Sequence, residues 1–124
     1  MRRARWALGA LLAADVACSA AQVVASVLAR PGSRAPLAAT AAISAVGVGS
    51  AAPVLLRAMR RVGRRDATRA LRTVGAGLAF HTAGCAAVLP TARGRQRLLV
   101  AAVLAGGDVI TLGYRRELRR LVRR

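Results

Sequence analysis

The chain has 124 residues and a formal net charge of +17, from 21 basic and 4 acidic side chains, although 56% of its residues are hydrophobic. A chain of this length predicts a single domain. All 21 basic residues are Arg, and they fall into five segments, at residues 1–5, 30–34, 57–72, 93–97 and 115–124. Because the stretches between these segments carry no basic residue, the layout is typical of a membrane protein and not of a disordered basic tail.

The composition also argues against several classes of soluble protein. Aromatic residues make up 2% of the chain, which is too few to stack against single-stranded nucleic acid. The positive charge is divided among separate segments instead of forming one basic stripe, so no nucleic-acid partner is expected. No glycine-rich phosphate loop, G-x-S-x-G elbow or zinc-finger spacing occurs, and no cofactor or metal is predicted. The use of Arg without Lys, beside abundant Ala, Val, Leu and Gly, indicates a GC-rich bacterial genome.

Four apolar stretches occupy the spaces between the basic segments, at residues 6–29, 35–56, 73–92 and 98–114. Each is long enough to cross a hydrocarbon core about 30 Å thick as a helix, which takes roughly 17 to 25 residues. Backbone amides inside a bilayer need internal partners, and the stretches show no period-two alternation, so helices are predicted. Short connections make successive helices antiparallel. The sequence therefore predicts an all-α, up-and-down four-helix bundle that forms one membrane domain over residues 1–124.

The arginines also predict the orientation of the bundle. The first, third and fifth basic segments contain 16 of the 21, and cytoplasmic loops are rich in basic residues, so both termini and the loop 57–72 are expected in the cytoplasm. Trp6 and Tyr114, at the inner ends of the first and last spans, are expected at headgroup depth. The first span is interpreted as a retained helix because its apolar run exceeds the roughly 7 to 15 residues of a removable signal. The predicted location is the bacterial plasma membrane.

The loop 57–72 is the only long polar segment, and its arginines have two interpretations. One is that they bind anionic lipid headgroups, at about 1 kcal/mol per basic residue near the surface. The other, which we favour, is that their charge only determines the topology. The candidate headgroup-binding residues are Arg57, Arg60, Arg61, Arg64 and Arg65.

Three ionisable side chains lie inside the apolar stretches, Asp15, His81 and Asp108. They lie about 15, 14 and 10 Å along a helix from the nearest inner arginines, so three spans bring an ionisable group to a similar depth. Such residues usually face a partner, a cavity or a pathway, because a charge in hydrocarbon is costly. Helical spacing places further polar side chains on the same faces, namely Cys18 and Gln22 after Asp15, Cys85 after His81, and Thr111 after Asp108.

Three explanations compete for this polar cluster. The first is structural, with Asp15, His81 and Asp108 hydrogen-bonded to one another so that they hold the bundle together. The second is a relay for a proton or cation in a transporter. The third is a metal or redox site with Asp, His and Cys ligands, although the chain has no compact ligand spacing for one. Cys18 and Cys85 are expected to be small buried residues and not to form a disulfide.

In its four spans and in Asp15 of the first span, the chain resembles the small multidrug resistance transporters, four-helix proteins that work as dimers and have an acidic residue in the first helix. His81, Asp108 and the strong charge asymmetry depart from that pattern. The chain is therefore not assigned to that family.

The leading hypothesis is a small oligomeric plasma-membrane protein whose polar interior binds or moves a small solute or cation. The rival hypothesis is an accessory or assembly subunit of a membrane complex, in which the ionisable cluster only joins helices. A membrane enzyme acting on a lipid-soluble substrate is a third alternative, and the absence of catalytic motifs argues against it. The expected partners are a bilayer with anionic headgroups and either a second copy of the chain or another membrane protein.

Overall fold

The computed structural model describes residues 2–61 and 63–123, and its four helices are α1 Arg2–Leu28, α2 Arg34–Arg60, α3 Arg64–Val88 and α4 Arg95–Val122. Two short 3-10 turns, Pro31–Ser33 and Leu89–Thr91, lie in the connections from α1 to α2 and from α3 to α4. The described residues contain no strand, which confirms the all-α prediction. All four helices are long enough and apolar enough to cross a membrane. Met1, Val62 and Arg124, which belong to the predicted basic segments, lie outside the described residues.

The helices extend beyond the apolar stretches into the Arg-rich segments. The largest difference from the prediction is at the expected loop 57–72, where residues 57–60 belong to α2 and residues 64–72 belong to α3. Only residues 61–63 remain between the two helices. Arg is a good helix former, and basic side chains in the last turn of α2 interact favourably with the negative end of the helix dipole. Polar composition therefore predicted a loop where the residues continue two helices.

Each helix packs against the next in chain order, and α4 returns to contact α1. The antiparallel register of α1 and α2 is visible at two heights. Gln22 is hydrogen-bonded to Ser44, whereas Leu8 shares a hydrophobic cluster with Leu55. Residues 2, 61, 63 and 123 consequently lie at one end of the bundle, called here the terminal end, and the two 3-10 turns lie at the opposite end.

The main hydrophobic core lies toward the terminal end, and all four helices contribute to it. Its buried residues are Leu8, Ala51, Leu55, Ala58, Ala70, Val74, Tyr114 and Leu118. Close approach here depends in part on Gly113 of α4, where a Cβ would stand 3.0 Å from Cδ1 of Leu11 on α1. Because lipid is as apolar as the core, such close van der Waals contact is what holds membrane helices together. The core therefore packs α1 against α4 near the terminal end.

Candidate functional site

A cavity of about 280 Å³ lies between the four helices, on the side of the core that faces away from the terminal end. Its wall consists mostly of Ala, Val and Gly residues. An apolar wall with a few convergent polar groups is the usual composition of a small-molecule site, so this cavity is the candidate site. The polar side chains on the wall are Asp15, Cys18, Gln22, Ser44, His81, Thr111 and Tyr114.

Asp15 on α1 is bound to α4 through Tyr114, whose hydroxyl donates a 3.0 Å hydrogen bond to Asp15 Oδ2. Tyr114 is only 1% exposed, whereas Trp6 is 78% exposed. The Tyr114 ring therefore packs inside the bundle, where its hydroxyl is bonded to a carboxyl group, and its position at headgroup depth stays a prediction. Oδ1 of Asp15 has no hydrogen-bond partner within residues 2–61 and 63–123, and Asp15 lines the cavity.

His81 on α3 lies between two partners. Its Nδ1 is 3.3 Å from Oδ1 of Asp108 on α4, and its Nε2 is 3.7 Å from Sγ of Cys85, one helical turn further along α3. The hydroxyl of Thr82 donates a 2.8 Å hydrogen bond to the same oxygen of Asp108. Asp108 thus lies behind His81, outside the cavity wall, and fixes the orientation of an imidazole ring that belongs to the wall.

The contact between α3 and α4 at this height requires Gly107. A Cβ at that position would overlap the imidazole ring of His81. The glycine therefore allows α4 to come close enough for Asp108, the next residue, to reach His81. This role could not be predicted from the sequence, because one glycine among the 12 in the chain carries no specific signal.

Gln22 joins α1 to α2 at the far end of the cavity. The hydroxyl of Ser44 donates a 2.8 Å hydrogen bond to Oε1 of Gln22. The amide nitrogen of Gln22 has no protein partner in the part of the chain that the structure describes, and Gln22 lines the cavity. Gln22 lies two helical turns from Asp15, about 10 Å along α1. The cavity therefore has a free acceptor at one height and a free donor at another.

The remaining residues of the predicted cluster have different surroundings. Cys85 is fully buried, as predicted, whereas Cys18 is exposed and lines the cavity. The prediction of a buried residue is wrong for Cys18, which lies on an exposed side of α1, although the adjacent Ser19 is buried. The hydroxyl of Thr111 donates a 2.7 Å hydrogen bond to the backbone oxygen of Gly107, so it is satisfied within its own helix.

The three ionisable groups form two separate interhelical contacts and no direct three-way network. Asp15 pairs with Tyr114, and His81 pairs with Asp108, while Asp15 and His81 line the same cavity. Among the described residues, no three His, Cys, Asp or Glu side chains lie close enough together to hold a metal ion. The geometry therefore provides hydrogen-bonding groups around a cavity and no ligand set for a metal.

The five predicted headgroup-binding arginines surround the connection between α2 and α3, and all are exposed. Arg57 is paired with Asp66, with its Nε 3.0 Å from Oδ1. The other four, Arg60, Arg61, Arg64 and Arg65, have no acidic partner within the described ranges. Their charges are therefore open to the surroundings at the terminal end.

Comparison of the chain with protein families, with curated proteins and with solved structures finds no match.

Proposed function

We propose that this chain is a four-helix protein of the bacterial plasma membrane that binds a small solute in its central cavity, with Asp15 as the residue that holds the solute. The observation that carries the proposal is the free carboxyl oxygen of Asp15 on a largely apolar wall. An ionisable group inside a membrane protein is costly unless a partner compensates it. Tyr114 satisfies one oxygen of Asp15, and a bound ligand satisfies the other.

The chemistry of the wall defines the ligand. A cavity of about 280 Å³ is large enough for a small organic molecule. The carboxyl group of Asp15 accepts a hydrogen bond from an amine and attracts its positive charge. The surrounding Ala, Val and Gly residues contact a hydrocarbon body, and the free amide nitrogen of Gln22 donates to a carbonyl or hydroxyl oxygen. The best candidate is therefore a small amine with an apolar body.

In the proposed topology the terminal end faces the cytoplasm. The support is the charge distribution, since the segments at that end contain 16 of the 21 arginines, and cytoplasmic loops are enriched in such residues. Arg60, Arg61, Arg64 and Arg65 then lie beside the inner leaflet, where anionic headgroups attract them. Binding of headgroups and determination of topology are compatible roles for these arginines.

A second candidate function is an accessory subunit of a membrane complex. Its support is that each ionisable group already has a partner on a neighbouring helix, through the Asp15–Tyr114 and His81–Asp108 contacts. Such contacts stabilise a bundle whether or not a ligand binds. The two candidates differ in one measurable respect, because only the first requires the free oxygen of Asp15.

Titration calorimetry of benzylamine binding to the purified protein in detergent tests the proposal. Ethylbenzene has the same shape with a methyl group in place of the ammonium group, so it is the uncharged control ligand. We expect benzylamine to bind more tightly than ethylbenzene because only benzylamine can pair with Asp15. Asp15→Asn should reduce benzylamine affinity on the order of tenfold or more. The Asn side chain keeps an oxygen for the Tyr114 hydroxyl, so the helix contact is retained.

The matched control is Asp66→Asn, which removes one acidic charge at the terminal end, away from the cavity. Its affinity for benzylamine should equal that of the unaltered chain. Equal affinities of the Asp15→Asn variant and the unaltered chain would contradict the proposed function. Absence of benzylamine binding in either protein, together with reduced thermal stability of Tyr114→Phe, which removes the helix contact, would favour the accessory subunit.

A further inference from the structure

The cavity opens sideways, between α1 and α4. The wall residues on α2 and α3 are buried or half-buried. The exposed wall residues all lie on the other two helices, and they are Cys18, Ala21, Leu99, Ala102 and Gly106. The cavity is therefore closed on the side of α2 and α3 and open on the side where α1 faces α4.

Helices α1 and α4 contact each other near the terminal end, and the opening lies beyond these contacts. Their contacts there include Leu11 against Gly113 and Asp15 with Tyr114. Further along α1, the exposed wall positions carry the small residues Cys18 and Ala21. Side chains of this size do not fill the space between two helices, so the gap remains open.

The opening lies at the height of the hydrocarbon core if the helices cross a bilayer. Cys18 comes 13 residues after Arg5, about 20 Å along a helix. Gly106 comes nine residues after Arg97, about 14 Å along α4. Both distances fall within a hydrocarbon core about 30 Å thick. The opening therefore faces acyl chains and not water.

We propose, on the basis of the proposed amine site at Asp15, that the natural ligand is a membrane-dissolved amphiphile, a long-chain amine that enters sideways between α1 and α4. Its amine head binds Asp15, and its alkyl chain leaves through the opening and remains in the bilayer. A closed cavity of about 280 Å³ would exclude such a chain, whereas an open side sets no limit on chain length. Leu99, at 50% exposure, offers an apolar contact for the chain at the edge of the opening.

Competition binding in lipid nanodiscs tests this route with two probes that share one head. The first probe is radiolabelled benzylamine, and the second is N-hexadecylbenzylamine, which adds a sixteen-carbon chain to the same amine. We expect the long-chain amine to displace benzylamine. Ala102→Leu narrows the opening and should weaken binding of the long-chain amine on the order of tenfold, because the larger side chain occupies space that the alkyl chain needs. Any loss of affinity for benzylamine in this variant should be smaller, so the ratio of the two affinities measures the contribution of the alkyl chain.

The matched control is Ala105→Leu. Ala105 is exposed on α4, three residues from Ala102, and lies outside the cavity wall, so its substitution should not affect either probe. Binding of benzylamine without displacement by the long-chain amine would overturn the lateral route and leave the proposed function intact. Equal effects of the two Leu variants would also overturn it. Loss of a dimer in the Ala102→Leu variant would identify the occupant of the opening as a second copy of the chain. Failure of both probes to bind would overturn the proposed function and the route together.

Discussion

The imidazole ring of His81 occupies the space in which position 107 would carry a Cβ, so Gly107 is the residue that lets α4 approach α3. The same approach brings Nδ1 of His81 to 3.3 Å from Oδ1 of Asp108. The contact between His81 and Asp108 thus depends on the absence of a side chain at position 107. His81 can keep its orientation on the cavity wall only while residue 107 has no side chain.

Substitution Gly107→Ala should lower the free energy of unfolding by about 1–3 kcal/mol, because the new methyl group forces the His81 ring to move. This loss should exceed the gain of about 1 kcal/mol that Ala brings to a helix. Thermal unfolding in detergent measures the change. Gly106→Ala is the control, since a Cβ at position 106 has no atom within 4 Å, and its stability should be unchanged or raised. Equal melting temperatures of the two variants would show that His81 does not need this space.

The Tyr114–Asp15 hydrogen bond should contribute a measurable coupling between α1 and α4. Tyr114→Phe removes the donor and leaves the buried ring in place, so it should destabilise the protein by about 0.6 to 1.7 kcal/mol, the average and the maximum found for hydrogen bonds between membrane helices. A double-mutant cycle with Asp15→Ala isolates the contribution of the pair. A coupling energy of zero would mean that the 3.0 Å hydrogen bond does not stabilise the packing of α1 against α4.

Two serines of similar burial should respond in opposite directions to substitution by Ala. The Ser44 hydroxyl is bonded to Gln22, so Ser44→Ala should cost about 0.6 kcal/mol or more. The Ser19 hydroxyl is buried with no hydrogen-bond partner among the described residues, so Ser19→Ala should stabilise the protein by up to about 1 kcal/mol. Melting temperatures of the two variants in the same detergent make the comparison. Destabilisation by both substitutions would show that the Ser19 hydroxyl does have a hydrogen-bond partner, contrary to the structure.

The positions of the helices follow from hydropathy, but their ends do not. The apolar stretch 35–56 predicts the centre of α2, because a bilayer-length run of Ala, Val and Leu has few alternatives to a helix. The helix continues beyond this stretch to Arg60, because a solvated Arg is as good a helix former as most residues. Hydropathy reports where the chain is apolar and not where the helical hydrogen bonds end.

Counting along the spans groups Asp15, His81 and Asp108 by height, but it does not predict their partners. Of the three, Asp15 and His81 line one cavity. The partner of Asp15 is Tyr114, 99 residues away, and this depends on how α1 and α4 are rotated about their axes. Rotation is set by close packing at positions such as Gly107 and Gly113, and in a chain rich in Ala and Gly the sequence pattern does not distinguish these positions from others.

The most direct test of the whole account is the accessibility of cysteines introduced at the two ends of the bundle. Intact bacterial cells expressing the chain with Cys18→Ala and Cys85→Ala are treated with a membrane-impermeant maleimide. Gly32→Cys and Arg93→Cys, in the connections away from the terminal end, should be labelled from outside. Gly63→Cys and Arg123→Cys should be labelled only after the membrane is permeabilised. Labelling of Gly63→Cys in intact cells would contradict the proposed orientation, and recovery of the protein in the soluble fraction without detergent would contradict the membrane bundle itself.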